Sequence, residues 1–129
     1  MSTTILTRLA ALLVLLEGIG LVFLTGWQVV AMLGGDTDSL TSALALAVLT
    51  AVAAAGLIAF GVAIGRGSSW GRSGGVVAQL LILAVAIGAF TGAYAEPLTG
   101  LWIALVAIVG LVLLVLVIWR TPRPPRPTD

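Results

Sequence analysis

The sequence predicts an all-α protein: one domain, residues 1–119, formed by a bundle of four transmembrane helices in N-in/C-in orientation. Three observations predict this fold. Of 129 residues, 60% are hydrophobic and 9% are charged, against roughly 45–50% and 25% in soluble proteins. Four apolar segments reach the ~20 residues that a helix needs to cross a bilayer. All six basic residues fall at one end of the path that these segments define.

Short polar or glycine-rich stretches separate the apolar segments. Gly34 and Gly35 mark the first turn, and a longer connection is expected between Arg66 and Gly75. Pro97 cannot continue the third helix and suits the first turn of the fourth. Because lipid offers the backbone no hydrogen-bond partners, each segment is expected to be helical. The predicted spans are residues about 9–33, 40–64, 76–94 and 98–119.

The arginines predict how the bundle sits in the membrane. With four spans, every basic residue lies on one side, whereas the connections on the other side carry Asp36, Asp38 and Glu96. Basic residues in short loops stay in the cytoplasm. We therefore expect a multi-pass protein of the bacterial cytoplasmic membrane with both termini inside. The basic residues are Arg8, Arg66, Arg72, Arg120, Arg123 and Arg126.

Tryptophan and arginine side chains are expected to anchor the ends of the helices. Tryptophan prefers the headgroup region because its ring is apolar and its N–H donates a hydrogen bond. Trp27, Tyr94 and Trp102 fall near the outer ends. Residues 120–129 form a basic, proline-rich tail that is expected to lie in the cytoplasm. The expected inner anchors are Arg66, Trp70, Arg72, Trp119 and Arg120.

Small residues indicate where helices pack closely. In lipid, helices associate through van der Waals contact, and small side chains let two backbones approach. Alanines recur at every fourth position of the second span, which also contains a GxxxG pair. Either these residues pack the four helices of one chain, or they serve a homo-oligomer or a larger membrane complex. The candidates are Ala47, Ala51, Ala55, Ala59, Gly61, Gly65, Gly88 and Gly92.

Glu17 is the ionisable residue that lies well inside a span. It is ~13 Å beyond Arg8 at 1.5 Å per residue, where a charge costs ~3 kcal/mol on insertion scales. We therefore expect Glu17 to be protonated or to face a hydrated cavity. Gln79 lies ~10 Å beyond Arg72 on a helix of the same direction, so the two are expected to form a buried polar pair. A neutral carboxyl can donate a hydrogen bond that the amide oxygen accepts.

Composition argues against most catalytic chemistry. The chain has no cysteine and no histidine, which removes thiol nucleophiles, imidazole bases and the commonest metal ligands. Nucleotide-binding, zinc and nucleophile-elbow motifs are absent from the sequence. A net charge of +1 predicts no nucleic-acid surface. We expect no enzyme, no cofactor and no metal, with membrane lipids as the general partner.

The residue pattern from Arg66 to Leu83 is similar to that of a group of known membrane proteins. Basic and aromatic residues precede a valine-rich helix start that contains a glutamine and a leucine pair: Arg66, Trp70, Arg72, Val76, Val77, Gln79, Leu80 and Leu81. This pattern resembles small uncharacterised four-helix integral membrane proteins of actinobacteria, which implies the fold but no activity. Small multidrug resistance exporters also carry a carboxylate in the first of four spans. The residues around Glu17 do not carry their pattern, and strong arginine bias argues against their antiparallel pairing.

Two functions follow from these expectations. The first is a non-catalytic integral membrane protein that serves as an accessory, assembly or scaffold component. The alternative is a small proton-linked transporter or channel that uses a buried Glu17, since carboxylates inside membranes mark ion and proton paths.

Overall fold

The computed structural model describes residues 3–93, 95–122 and 125, and this part of the chain contains helices and no strand. The helices pack as a bundle, so the predicted all-α, four-helix fold is confirmed. Tyr94 and the tail arginines Arg123 and Arg126 lie outside the described residues. The helices are α1 (Thr3–Leu33), α2 (Leu40–Gly65), α3 (Ser69–Thr91) and α4 (Pro97–Arg120).

Glycines in the left-handed conformation end α1 and α2. Gly35 has φ +78° and Gly67 has φ +77°, values that other residues adopt only with strain. The N–H of Asp36 donates to Ala31 O at 3.0 Å, and that of Gly35 donates to Met32 O at 3.2 Å. This pattern is a Schellman motif, which satisfies carbonyls that the helix end leaves free. The chain can therefore reverse within a few residues.

Helix α3 begins earlier than the sequence predicts. The apolar segment starts at about residue 76, but the helix starts at Ser69, and most of the expected connection is helical. Apolar composition marks the part of a helix inside the hydrocarbon, not its first turns. Those turns are held by Gly71, whose backbone lies so close to α2 that an added Cβ would be 2.5 Å from Ala63 Cβ. Arg72 Nη1 also donates to Gly67 O at 3.0 Å.

The first two helices run antiparallel in close contact. Leu15 lies against Gly61 and Gly18 against Leu57. Further along α1, the Gln28 side chain donates to Thr50 Oγ1 at 3.3 Å. The residue numbers of the contacting positions therefore fall along α2 as they rise along α1, which is the pattern of two antiparallel helices.

The second hairpin, α3–α4, is built in the same way. Gln79 packs against Gly110, and Phe90 packs against Gly100. Helix α2 also contacts α3, and α1 contacts α4. The four helices thus form a ring in chain order, with α1 and α3 on one diagonal.

The antiparallel ring separates the charges. Among the described residues, one end carries Arg8, Arg66, Arg72 and Arg120, and we call it the arginine end. The opposite end, which we call the acidic end, carries Asp36, Asp38 and Glu96.

The outer surface of the bundle is apolar. In each helix, only 22% of an 18-residue apolar window is buried. Phe23 and Leu33 are 76% and 84% exposed, which would be costly in water. Each helix is also long enough to cross a bilayer. The apolar surface therefore faces lipid.

Tight packing is concentrated toward the arginine end. All buried residues of α1 among those described lie between Leu6 and Gly18. The main apolar core consists of Leu6, Ala10, Ala11, Val14, Leu57, Ile64, Leu114 and Val117. Toward the acidic end, α1 is half-buried or exposed.

We expect Gly71→Ala to lower the free energy of unfolding by about 1–3 kcal/mol, because overpacking a close contact forces the neighbouring backbone to move. The added methyl would lie 2.8 Å from the backbone nitrogen of Ile64, which cannot turn away. Gly20→Ala is the control, since an added Cβ there has nothing within 4 Å. Unfolding in mixed micelles, followed by circular dichroism, measures both. Equal effects would contradict the packing described here.

Candidate functional site

A hydrogen bond between Glu17 and Gln79 crosses the centre of the bundle. Gln79 Nε2 donates to Glu17 Oε2 at 2.6 Å, which joins the two helices that lie on a diagonal of the ring. Gln79 is 1% exposed, and Glu17 is half-buried. The structure therefore brings together the two polar residues that the depth argument paired, although here the amide acts as the donor.

Gly110 of α4 makes room for the Gln79 side chain. An added Cβ at Gly110 would lie 2.8 Å from both Cδ and Oε1 of Gln79. The sequence analysis did not single out Gly110. Its signal was available, since it interrupts the run of large aliphatic residues in the fourth span. The role of Gly110 can be assigned only once Gln79 is known to lie against it.

The polar pair is only partly satisfied. Glu17 Oε1 and Gln79 Oε1 are buried and have no hydrogen-bond partner within the part of the chain that is described. Buried acceptors without donors are rare in folded proteins, and a proton, a water molecule or an ion usually accounts for them. A proton on the carboxyl would turn one acceptor into a donor. The pair can therefore hold a proton, or a small donor such as water.

Only part of the predicted small-residue stripe of α2 faces the bundle. Ala47 is buried, and Gly61 lies against Leu15, whereas Ala51, Ala55 and Ala59 are exposed. The reason is geometric, because steps of four residues drift around a helix of 3.6 residues per turn. The face that contacts neighbours instead alternates steps of three and four: Ala47, Thr50, Ala54, Leu57, Gly61 and Ile64.

The remaining predicted glycines contribute little close contact. An added Cβ at Gly65 would make an ordinary contact of 3.7 Å with Ala11, and one at Gly88 would meet nothing within 4 Å. Gly92 follows the end of α3, where its N–H donates to Gly88 O at 2.7 Å. Closer approaches occur at Gly18, which the sequence analysis did not single out.

The predicted anchors gather at the arginine end. Trp70 and Trp119 are 58% and 78% exposed, and Arg66 and Arg120 are also exposed. The Trp70 ring meets Phe60 edge-on, with centroids 6.0 Å apart. Such rings suit the level of lipid headgroups.

The fold and the buried pair define a class: a multi-pass membrane protein with a carboxyl–amide contact at the centre of its bundle. Within the described residues, no group of three or more histidine, cysteine, aspartate or glutamate residues could hold a metal. No protein-family model, no curated protein and no solved structure matches the chain. The resemblance to actinobacterial membrane proteins stays a prediction that rests on the residues around Gln79.

We expect Gln79→Leu to lower the free energy of unfolding by about 1 kcal/mol, because hydrogen bonds between membrane helices average ~0.6 and reach ~1.7 kcal/mol. Glu17→Gln should cost less, since an amide can still accept from Gln79. Unfolding in mixed micelles compares the two variants. A larger loss for Glu17→Gln would mean that the carboxyl does more than bond to Gln79.

Proposed function

We propose that the protein is a non-catalytic accessory, assembly or scaffold component of the bacterial cytoplasmic membrane, which binds a transmembrane helix of a larger membrane complex. The supporting observation is the exposed row Ala51, Ala55 and Ala59 on the outer surface of α2. Small residues spaced by four allow a second helix backbone to approach closely.

Large side chains occupy other parts of the outer surface. Leu49 of α2 and Leu81 of α3 are 67% and 63% exposed, and such large side chains suit contact with mobile lipid tails. The alanine row would leave a shallow groove between larger neighbours, since Val52 beside it is 65% exposed. A helix seated in that groove gains van der Waals contact that lipid does not give.

We expect Ala55→Leu to fill the groove and to displace the partner helix. Ala53→Leu is the matched control, because Ala53 is an exposed alanine of the same helix but has leucine four residues away on either side, Leu49 and Leu57. A photo-crosslinking residue at each position, followed by native purification from the source membrane, identifies what lies there. A specific product at position 55, lost on adding Leu at position 59, supports the proposal. A product of twice the chain mass would identify a second copy instead, and no preference for position 55 over position 53 would refute docking on the alanine row.

We further propose that the arginine end faces the cytoplasm. This orientation is supported by the separation of basic from acidic residues, because short loops with arginine are retained inside.

The orientation can be tested in a chain that has no cysteine of its own. In intact cells, Asp38→Cys at the acidic end should react with an impermeant maleimide, and Ser69→Cys at the arginine end should not. Permeabilised cells provide the control that both sites are reactive. The reverse pattern would overturn the orientation.

A second function, a small proton-linked transporter or channel, is favoured by the unpartnered oxygens of Glu17 and Gln79. Packing around them is asymmetric. Toward the arginine end, Val14, Ile64 and Leu114 are fully buried and close the bundle. From Ile19 onward, toward the acidic end, α1 carries no buried residue among those described. Under this function, Glu17 exchanges its proton with the acidic side.

Glu17→Gln separates the two functions. If the protein conducts protons, vesicles that contain it should dissipate an imposed pH gradient, and the variant should not, since an amide cannot carry the proton. Gln79→Leu retains the carboxyl and should keep some flux. Equal rates in empty vesicles, wild-type vesicles and Glu17→Gln vesicles would exclude this function and leave the accessory function standing.

A further inference from the structure

A cavity of about 210 Å³ opens at the acidic end, between the last turns of α1 and the first turns of α2. Its lining combines polar groups, Gln28, Asp36 and Thr37, with apolar walls that include Trp27 and Met32. The cavity is remote from Glu17, which lies three helical turns from Gln28 along α1. It therefore belongs to neither function proposed above.

The orientation of the Gln28 amide is fixed by its neighbour. The Thr50 hydroxyl donates to Leu46 O at 2.8 Å, so its oxygen is left to accept from Gln28 Nε2 at 3.3 Å. The amide oxygen must then point away from Thr50. Gln28 lines the cavity, and its Oε1 is a buried acceptor without a hydrogen-bond partner within the described chain.

Asp36 and Thr37 add further acceptors. The Schellman motif holds Asp36 through its N–H, which donates to Ala31 O, and Asp36 lines the cavity. The Thr37 hydroxyl donates to Ser39 O at 3.1 Å, so its oxygen can only accept. The connections at the acidic end, residues 34–39 and 92–96, contain no arginine or lysine. The cavity therefore offers acceptors and negative charge, without a basic side chain from the connections at that end to neutralise them.

A ligand that matches this lining donates hydrogen bonds, carries positive charge and tolerates apolar walls. An ammonium group meets the first two requirements, and an attached alkyl or acyl chain meets the third. The exposed ring of Trp27 can also attract a cation through its π face. We propose that this cavity binds the primary ammonium group of an amphipathic molecule, either the headgroup of an aminophospholipid or a free alkylamine. The proposal does not depend on the accessory function or on proton transport.

Native mass spectrometry of the purified full-length chain tests the site with defined probes. Phosphatidylethanolamine carries a primary ammonium, phosphatidylcholine carries the same charge without N–H donors, and phosphatidylglycerol carries no ammonium. Hexylammonium chloride represents a free amine. We expect phosphatidylethanolamine to be retained several-fold more than either other lipid. Equal retention of all three lipids, together with no binding of hexylammonium, would overturn the proposal.

Variants locate the binding. Asp36→Asn should weaken retention roughly tenfold, as expected for loss of a charge-assisted hydrogen bond, and Gln28→Leu should weaken it several-fold. Asp38→Asn makes the same charge change in the same connection, but Asp38 does not line the cavity. It should leave binding within about twofold of wild type. Equal losses in Asp36→Asn and Asp38→Asn would show general charge attraction and refute the site.

The two sources of the ammonium group give different results. Variant-sensitive retention of phosphatidylethanolamine supports a lipid headgroup. Variant-sensitive binding of hexylammonium without lipid preference supports a free amine. Thermal unfolding of each variant in detergent checks its fold, and Gln28→Leu keeps the test valid if Asp36→Asn disturbs the helix end.

Discussion

The bundle depends on close contact between helix backbones, because in lipid the hydrophobic effect gives little force to hold one apolar helix against another. At Gly61 and Gly71 the close contact reaches backbone atoms of the neighbouring helix, those of Leu15 and Ile64. These contacts cluster toward the arginine end, together with the apolar core. The arginine end is therefore the more tightly packed end of the bundle, and the cavity opens at the acidic end.

Polar side chains inside the bundle depend on this packing. Gly110 of α4 has no side chain, and this leaves space for the side chain of Gln79. The position of α4 therefore helps to place the hydrogen bond that Gln79 of α3 makes to Glu17 of α1. At the acidic end, the Gly35 turn performs a similar task by placing Asp36 beside the cavity. In both places a glycine helps to position a polar side chain without bonding to that side chain itself.

The sequence predicted features that depend on position along a single helix, such as its span and the depth of a residue. It was less successful for features that depend on how two helices pack against each other. Length and hydropathy found the four helices, and a rise of 1.5 Å per residue brought Glu17 and Gln79 to similar depths. The same information could not show that Ala51 and Ala55 rotate out of the bundle, or that α3 begins at Ser69. Those outcomes depend on which neighbour each face meets, as does the role of Gly110.

The diagonal hydrogen bond also bears on how the chain matures. Glu17 belongs to the hairpin that a ribosome delivers first, and Gln79 arrives with the second. Until the hairpins dock, the Glu17 carboxyl lies in the first hairpin without the Gln79 amide, and an ionised carboxyl there costs ~3 kcal/mol on insertion scales. A half-made molecule thus differs chemically from a finished one in the middle of the bilayer. Docking of the second hairpin therefore supplies the hydrogen bond that the first hairpin alone lacks.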